Sequence, residues 1–137
     1  MLKHTLKKMF LVIVMSVFTI NVHAADWTMA SGYPKSNFHT QNIMKFIDEV
    51  KANTSVNINL NENDTLIKID AIKTALQRGQ IPIGEIRLGI YGNEDPMYIL
   101  AGLPFIAPDY SSAWLLKDVQ MGYLQEKFGK KGLMILY

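Results

Sequence analysis

Residues 79–109 read GQIPIGEIRLGIYGNEDPMYILAGLPFIAPD, and the fold turns on how this stretch is read. Ile81, Ile83, Ile86 and Leu88 make a short apolar run that predicts a strand, with Pro82 acceptable as an edge or first strand residue. Gly89, Tyr91, Gly92, Asn93, Glu94 and Asp95 follow as a loop, and a second apolar segment ends at Leu103-Pro104-Phe105. A strand that runs into a Gly/Asn/Asp loop sets polar groups at its carboxyl end, where open α/β sheets collect ligands. The stretch therefore points to binding more than to catalysis.

Upstream, Asp26–Ala30 is β-prone and gives way to the loop Ser31-Gly32-Tyr33-Pro34-Lys35-Ser36-Asn37. From Phe38 the spacing turns helical, with Ile43, Phe46, Ile47 and Val50 on one face and Ser36 or Asn37 as the cap. Val56, Ile58 and Leu60 alternate with Asn57, Asn59 and Asn61, a period of two that predicts a strand with one buried face. Leu66, Ile69, Ile72, Lys73 and Leu76 predict a second helix stopping at Gly79. Downstream, Pro108-Asp109 opens a third helix, whose apolar face is Leu116, Val119, Tyr123, Leu124 and Phe128 and which Gly129 ends. GLMILY, residues 132–137, has the apolar character of a buried strand. Strands alternating with helices in this way predict an α/β fold with a mainly parallel sheet flanked by helices.

At 137 residues and 49% apolar, the chain has room for one ordinary domain with a core. It has no cysteine, which excludes disulfides, thiolate metal sites and lipidation of an N-terminal cysteine. Lys3, Lys7 and Lys8 precede the apolar run Met9–Ile20, and Val22-His23-Ala24 suits a signal peptidase. Residues 1–24 therefore read as a signal peptide cleaved after Ala24. The run of 12 residues falls short of the roughly 20 that span a bilayer, so no stable membrane insertion is expected after cleavage. Of fourteen Lys and Arg, three leave with the leader; the remaining eleven against twelve Asp and Glu give residues 25–137 a net charge of −1. Such a surface offers no nucleic-acid interface.

Residues 25–137 hold one histidine, His39, and no H-E-x-x-H, G-x-S-x-G, G-x-G-x-x-G or P-loop pattern. Neither an enzyme, a cofactor nor a metal site is expected. The candidate ligand-binding residues are polar groups at strand ends: Tyr33, Asn37 and His39 after the first strand, Arg87 and Tyr91 at or beyond the third. A guanidinium in an apolar strand context matches a carboxylate ligand by its planar donor fork; the alternatives for Arg87 are a pair with Glu85 or open solvent. His39 reads first as a first-turn helix residue and second as a ligand contact, and Tyr33 and Tyr91 either wall a pocket or cap the sheet edge.

The order of elements, with Phe46-Ile47-Asp48-Glu49-Val50, Ala75-Leu76-Gln77-Arg78-Gly79 and Leu103-Pro104-Phe105-Ile106, resembles the DctP-like solute-binding proteins of tripartite ATP-independent periplasmic (TRAP) transporters over nearly all of residues 26–137. The resemblance implies a periplasmic subunit that captures a small organic acid for membrane permease subunits, built as two α/β lobes that close on the ligand. It places Ser31–His39 and Arg87–Tyr91 in the first-lobe part of the cleft, makes the helix from Asp109 to Phe128 scaffold, and sends Leu133–Tyr137 toward the hinge. Two features depart from it. Ile81-Pro82-Ile83 stands where many members have an acidic residue after Gly, and the chain ends before the second-lobe arginine that grips the carboxylate. Residues 25–137 are thus expected to be a truncated N-terminal lobe, to bind no organic acid tightly alone, and to expose apolar surface around Leu133–Leu136. The alternatives are the receptor of an ATP-driven importer and the N-terminal part of an exported α/β enzyme.

Overall fold

The computed structural model describes residues 25–136; the leader reading and the last residue, Tyr137, fall outside them. Three strands, β1 (Ala25–Ala30), β2 (Val56–Asn61) and β3 (Ile83–Gly84), form a parallel sheet in the order β2-β1-β3. Helix α1 (Phe38–Asn53) connects β1 to β2, α2 (Ile72–Gln77) precedes β3, and α3 (Tyr110–Gly129) follows three short 3-10 turns at Leu88–Tyr91, Pro96–Tyr98 and Leu100–Gly102.

Alternation along the strands sorts the core onto two faces. Met29, Ile58 and Ile83 pack with Ile43 of α1, joined by Phe46, Ile47, Val50, Val56 and Leu60. The next residue along β1, Ala30, points the other way and is buried with Ile72, Ala75 and Ile81. Both faces of the sheet are therefore covered, as parallel pairing requires. A third cluster, Tyr91, Tyr98, Leu124 and Phe128, fixes α3 to the 3-10 turns, and Ile86 touches both this cluster and the second.

The predicted strand over Ile81–Leu88 shrinks to Ile83–Gly84, because its partner β1 ends at Ala30, opposite Gly84, and leaves nothing beyond for Arg87 or Leu88 to pair with. The second helix begins at Ile72, not near Leu66. Asn63 and Asp64 take positive φ, donate to the carbonyls of Tyr33 and Ser31, and Asp64 accepts from the Ile69 amide at 2.8 Å, so this segment is tied down as a turn. Residues 133–136 form no strand: Leu133 and Ile135 pack on the third cluster, while Met134 and Leu136 are exposed as expected, without a neighbouring strand to pair with. On α3, Val119 is exposed and Gln120 takes the inward position, donating to the Met97 carbonyl.

Candidate functional site

With β2 and β3 on opposite sides of β1, the strand order reverses at the central strand, and the crevice outside the carboxyl ends of β1 and β3 is the place where such sheets bind ligands. Ser31 is the first residue past β1 and Glu85 the first past β3. They meet across this crevice. The fully buried Ser31 hydroxyl accepts from the Tyr33 amide at 3.2 Å and donates to Glu85 Oε2 at 2.5 Å, while the Glu85 amide donates to the Ala30 carbonyl at 2.9 Å.

Around this pair stands a set of rings. His39 Nδ1 lies 3.8 Å from Glu85 Oε1, and its ring stacks on Tyr33 at 4.9 Å between centroids with 22° between planes. The Phe38 ring approaches the imidazole at 4.0 Å between centroids, tilted by 33°. Asn37, in extended backbone conformation, caps α1 by accepting the His39 amide at 2.9 Å. The Tyr33 carbonyl accepts from Thr40 Oγ1 and the Asn63 amide, which locks the loop that carries the ring. The positive pole of a 16-residue helix thus opens onto a polar, aromatic crevice.

Of the five residues named from sequence, Tyr33, Asn37 and His39 come together here. Arg87 lies two residues beyond Glu85, exposed at the head of the first 3-10 turn; its carbonyl accepts from the Ile90 amide at 3.2 Å, while its guanidinium has no hydrogen-bond or ion-pair partner among the described residues. Its suggested pairing with Glu85 does not form, because the Glu85 carboxylate is turned to Ser31 and His39. Tyr91 is placed differently: it is buried in the third cluster, and its hydroxyl donates to the carbonyls of Asp70 and Ile69. Burial raises its phenol above the usual value. The buried Lys73 ammonium sits 4.1 Å from the Tyr91 ring centroid and binds Glu94, so Tyr91 shapes the base of the adjoining loop.

Ser31 falls within the cleft loop that the resemblance implies but is not among the five candidate ligand residues, and Glu85 enters the sequence analysis only as a partner for Arg87. The available signal was positional, since each is the first polar residue after an apolar strand end. Among the described residues no group of His, Asp and Glu side chains is placed to hold a metal ion, and no helix is long and apolar enough to cross a membrane. A separate open depression of about 650 Å³ lies along α3 beside Trp114, Met121 and Ile135, away from the crevice; its two charged groups, Lys117 and Asp118, pair with each other at 3.2 Å.

Comparison with solved structures gives the crevice a context. The chain matches DctP6 of Bordetella pertussis, an extracytoplasmic solute receptor binding pyroglutamic acid, at 38% identity with a TM-score of 0.80, covering 82% of this chain and 38% of the receptor. DctP7 of the same organism, also binding pyroglutamic acid, matches at 34% identity and TM-score 0.79 over 83% of this chain and 38% of that one. A marine-metagenome TRAP solute-binding protein specific for pyroglutamate matches at 31% identity and TM-score 0.79 over 84% and 38%. The chain therefore spans 38% of the length of each of these three relatives, all of them solute receptors or solute-binding proteins. No protein-family model and no curated protein matches it.

Proposed function

We propose, for a chain that belongs to the DctP-like solute receptors of TRAP transporters, that the crevice at the ends of β1 and β3 is one wall of the cleft that captures a small organic acid for the transporter's membrane subunits. The leader would direct export to the periplasm, with cleavage after Ala24 releasing the mature chain. Pyroglutamate is the first candidate solute, since three relatives above 30% identity bind it. The observation that carries this reading is the convergence of Ser31, Tyr33, Asn37, His39 and Glu85 where the strand order reverses.

The roles follow from the placement. The N-terminus of α1, capped by Asn37, attracts the ligand carboxylate through its dipole. Tyr33 and His39 offer a stacked pair of rings against which a small flat ligand lies. Arg87, exposed and unpaired, supplies a planar donor fork at the mouth. Tyr91 supports the loop from below. The opposing wall lies beyond these residues, so the crevice alone leaves the ligand open to water on one side.

Amide-resolved NMR titration of the chain with pyroglutamate tests this. Millimolar ligand is expected to shift the amides of 31–40 and 85–87, with calorimetry finding no sub-micromolar affinity for pyroglutamate, C4-dicarboxylates, sialic acid or 2-oxo acids. Unmoved amides in both segments would refute the site, and sub-micromolar binding would refute its being half of a cleft.

A further inference from the structure

Glu85 poses an electrostatic question that the capture of an acid leaves open. A carboxylate at the lip of a crevice meant for anions repels them, and its side chain is only 16% exposed, so solvent screens it incompletely. Among the described residues His39 is the one basic group within 4.0 Å of its carboxylate, at 3.8 Å, a separation beyond hydrogen-bonding reach. The residue is nevertheless held in place: its amide completes the pairing to Ala30, and its Oε2 takes the hydroxyl hydrogen of a Ser31 that is itself fixed by the Tyr33 amide. An ionised carboxylate has about four acceptor positions, and Ser31 fills one of them. What remains is an oriented carboxylate beside a ring platform, close to the first turn of α1.

We infer that Glu85 is a specificity-determining residue that accepts a hydrogen bond from an N–H of the ligand, so the solute class is a small monocarboxylate carrying a ring or chain N–H donor, and dicarboxylates are rejected. This rests on the crevice being the ligand site. The two ends of the ligand are sorted by charge, the carboxylate to the α1 N-terminus and the N–H to Glu85. A second carboxylate in place of the N–H would meet Glu85 as a like charge at close range, and a ring oxygen would leave Glu85 facing a lone pair. Ser31 is the positioning residue, acting only through the carboxylate it orients.

The test compares pyroglutamate with its lactone analogue, 5-oxotetrahydrofuran-2-carboxylate, which has oxygen where the lactam has N–H, and with succinate, by NMR titration of the wild-type chain and of Glu85→Gln and Glu85→Ala. Wild type is expected to prefer the lactam over the lactone by about tenfold or more, as sites built to bond a ligand N–H do. Glu85→Gln should narrow that preference and improve succinate binding, because the charge is gone while an acceptor oxygen stays; Glu85→Ala should abolish the preference. If Glu85→Ala loses its dispersed spectrum, the Gln variant decides. An unchanged lactam preference together with unchanged succinate binding in the folded variants overturns the inference while leaving the site standing. Failure of every ligand to shift 31–40 and 85–87 in wild type instead removes the site itself.

Discussion

Gly32 separates Ser31 and Tyr33, two residues of the proposed site, and replacing it with Ala tests how tightly this loop is held. A Cβ on Gly32 would stand 2.5 Å from Ile69 Cβ and 2.7 Å from its Cγ1 and Cδ1. Carbon atoms prefer about 3.5–4.0 Å, so the overlap is about 1 Å and involves a Cβ that no rotamer change can move. Ile69 is itself anchored, its amide on the Asp64 carboxylate at 2.8 Å and its carbonyl within reach of the Tyr91 hydroxyl at 3.3 Å. Gly32 does not have a left-handed φ, so the cost is steric, without a backbone penalty. Overpacking of this kind costs about 1–3 kcal/mol. With a urea slope of about 2 kcal/mol/M, the midpoint of Gly32→Ala should fall by about 1 M with the slope unchanged. Ile69→Ala clears two of the three overlaps, so the double variant should recover part of the loss as a favourable coupling of about 0.5 kcal/mol or more. An unchanged midpoint in the single variant, or strict additivity in the double, would refute the reasoning.

Asn37→Ala removes the α1 cap and should cost about 1 kcal/mol, read as a lower urea midpoint; an unaltered midpoint would show that the cap is dispensable. Lys73→Ala deletes a buried stem lodged beneath Tyr91 and should cost about 2–4 kcal/mol, with Lys73→Met, which keeps most of the stem, losing less; equal losses would mean that the charge and not the packing matters. The carboxylates of Glu94, Asp95, Asp109 and Glu126 are all held below their ordinary values, chiefly by bonds from Lys73, the Tyr123 hydroxyl, the Ser112 amide and Lys130 respectively. Their contribution is complete above the ordinary carboxylate values of 3.8 and 4.5 and is lost as pH falls through the lower folded ones. Thermal stability should therefore hold from neutrality to about pH 5 and decline below about pH 4, modestly because Glu94, Asp109 and Glu126 meet water and only Asp95 is buried; a rise between pH 5 and 3 would contradict it. Lys127, raised chiefly by its contact with Tyr123 and then Asp95, and Lys131, raised chiefly by Glu94, contribute fully below the ordinary lysine value of 10.5, so no alkaline loss is expected before that point.

Short-range pattern was enough to determine the α/β class, the first strand and its loop, the Asn37 cap, the half-buried Val56-Ile58-Leu60 strand and the helix opened by Asp109. In each of these the signal is local: a period, a cap or a breaker within a few residues. Tyr33, Asn37 and His39 could be named for the same reason, since all three follow one strand end. Tertiary structure alone decided the rest. The length of β3 depends on where β1 stops, 54 residues before Gly84 in the chain. The apolar spacing from Leu66 to Ile69 is overridden by hydrogen bonds that Asn63 and Asp64 make to the Tyr33 and Ser31 carbonyls. The 132–137 run has strand-like character, but a strand exists only where a neighbour supplies partners for its backbone, and 133–136 find none among the described residues. Arg87 and Tyr91 sit close together in sequence, yet one stays exposed and the other is drawn into the core by α3 and Lys73. The pairing of Ser31 with Glu85 joins residues 54 apart, and no local rule relates them until β1 and β3 lie side by side.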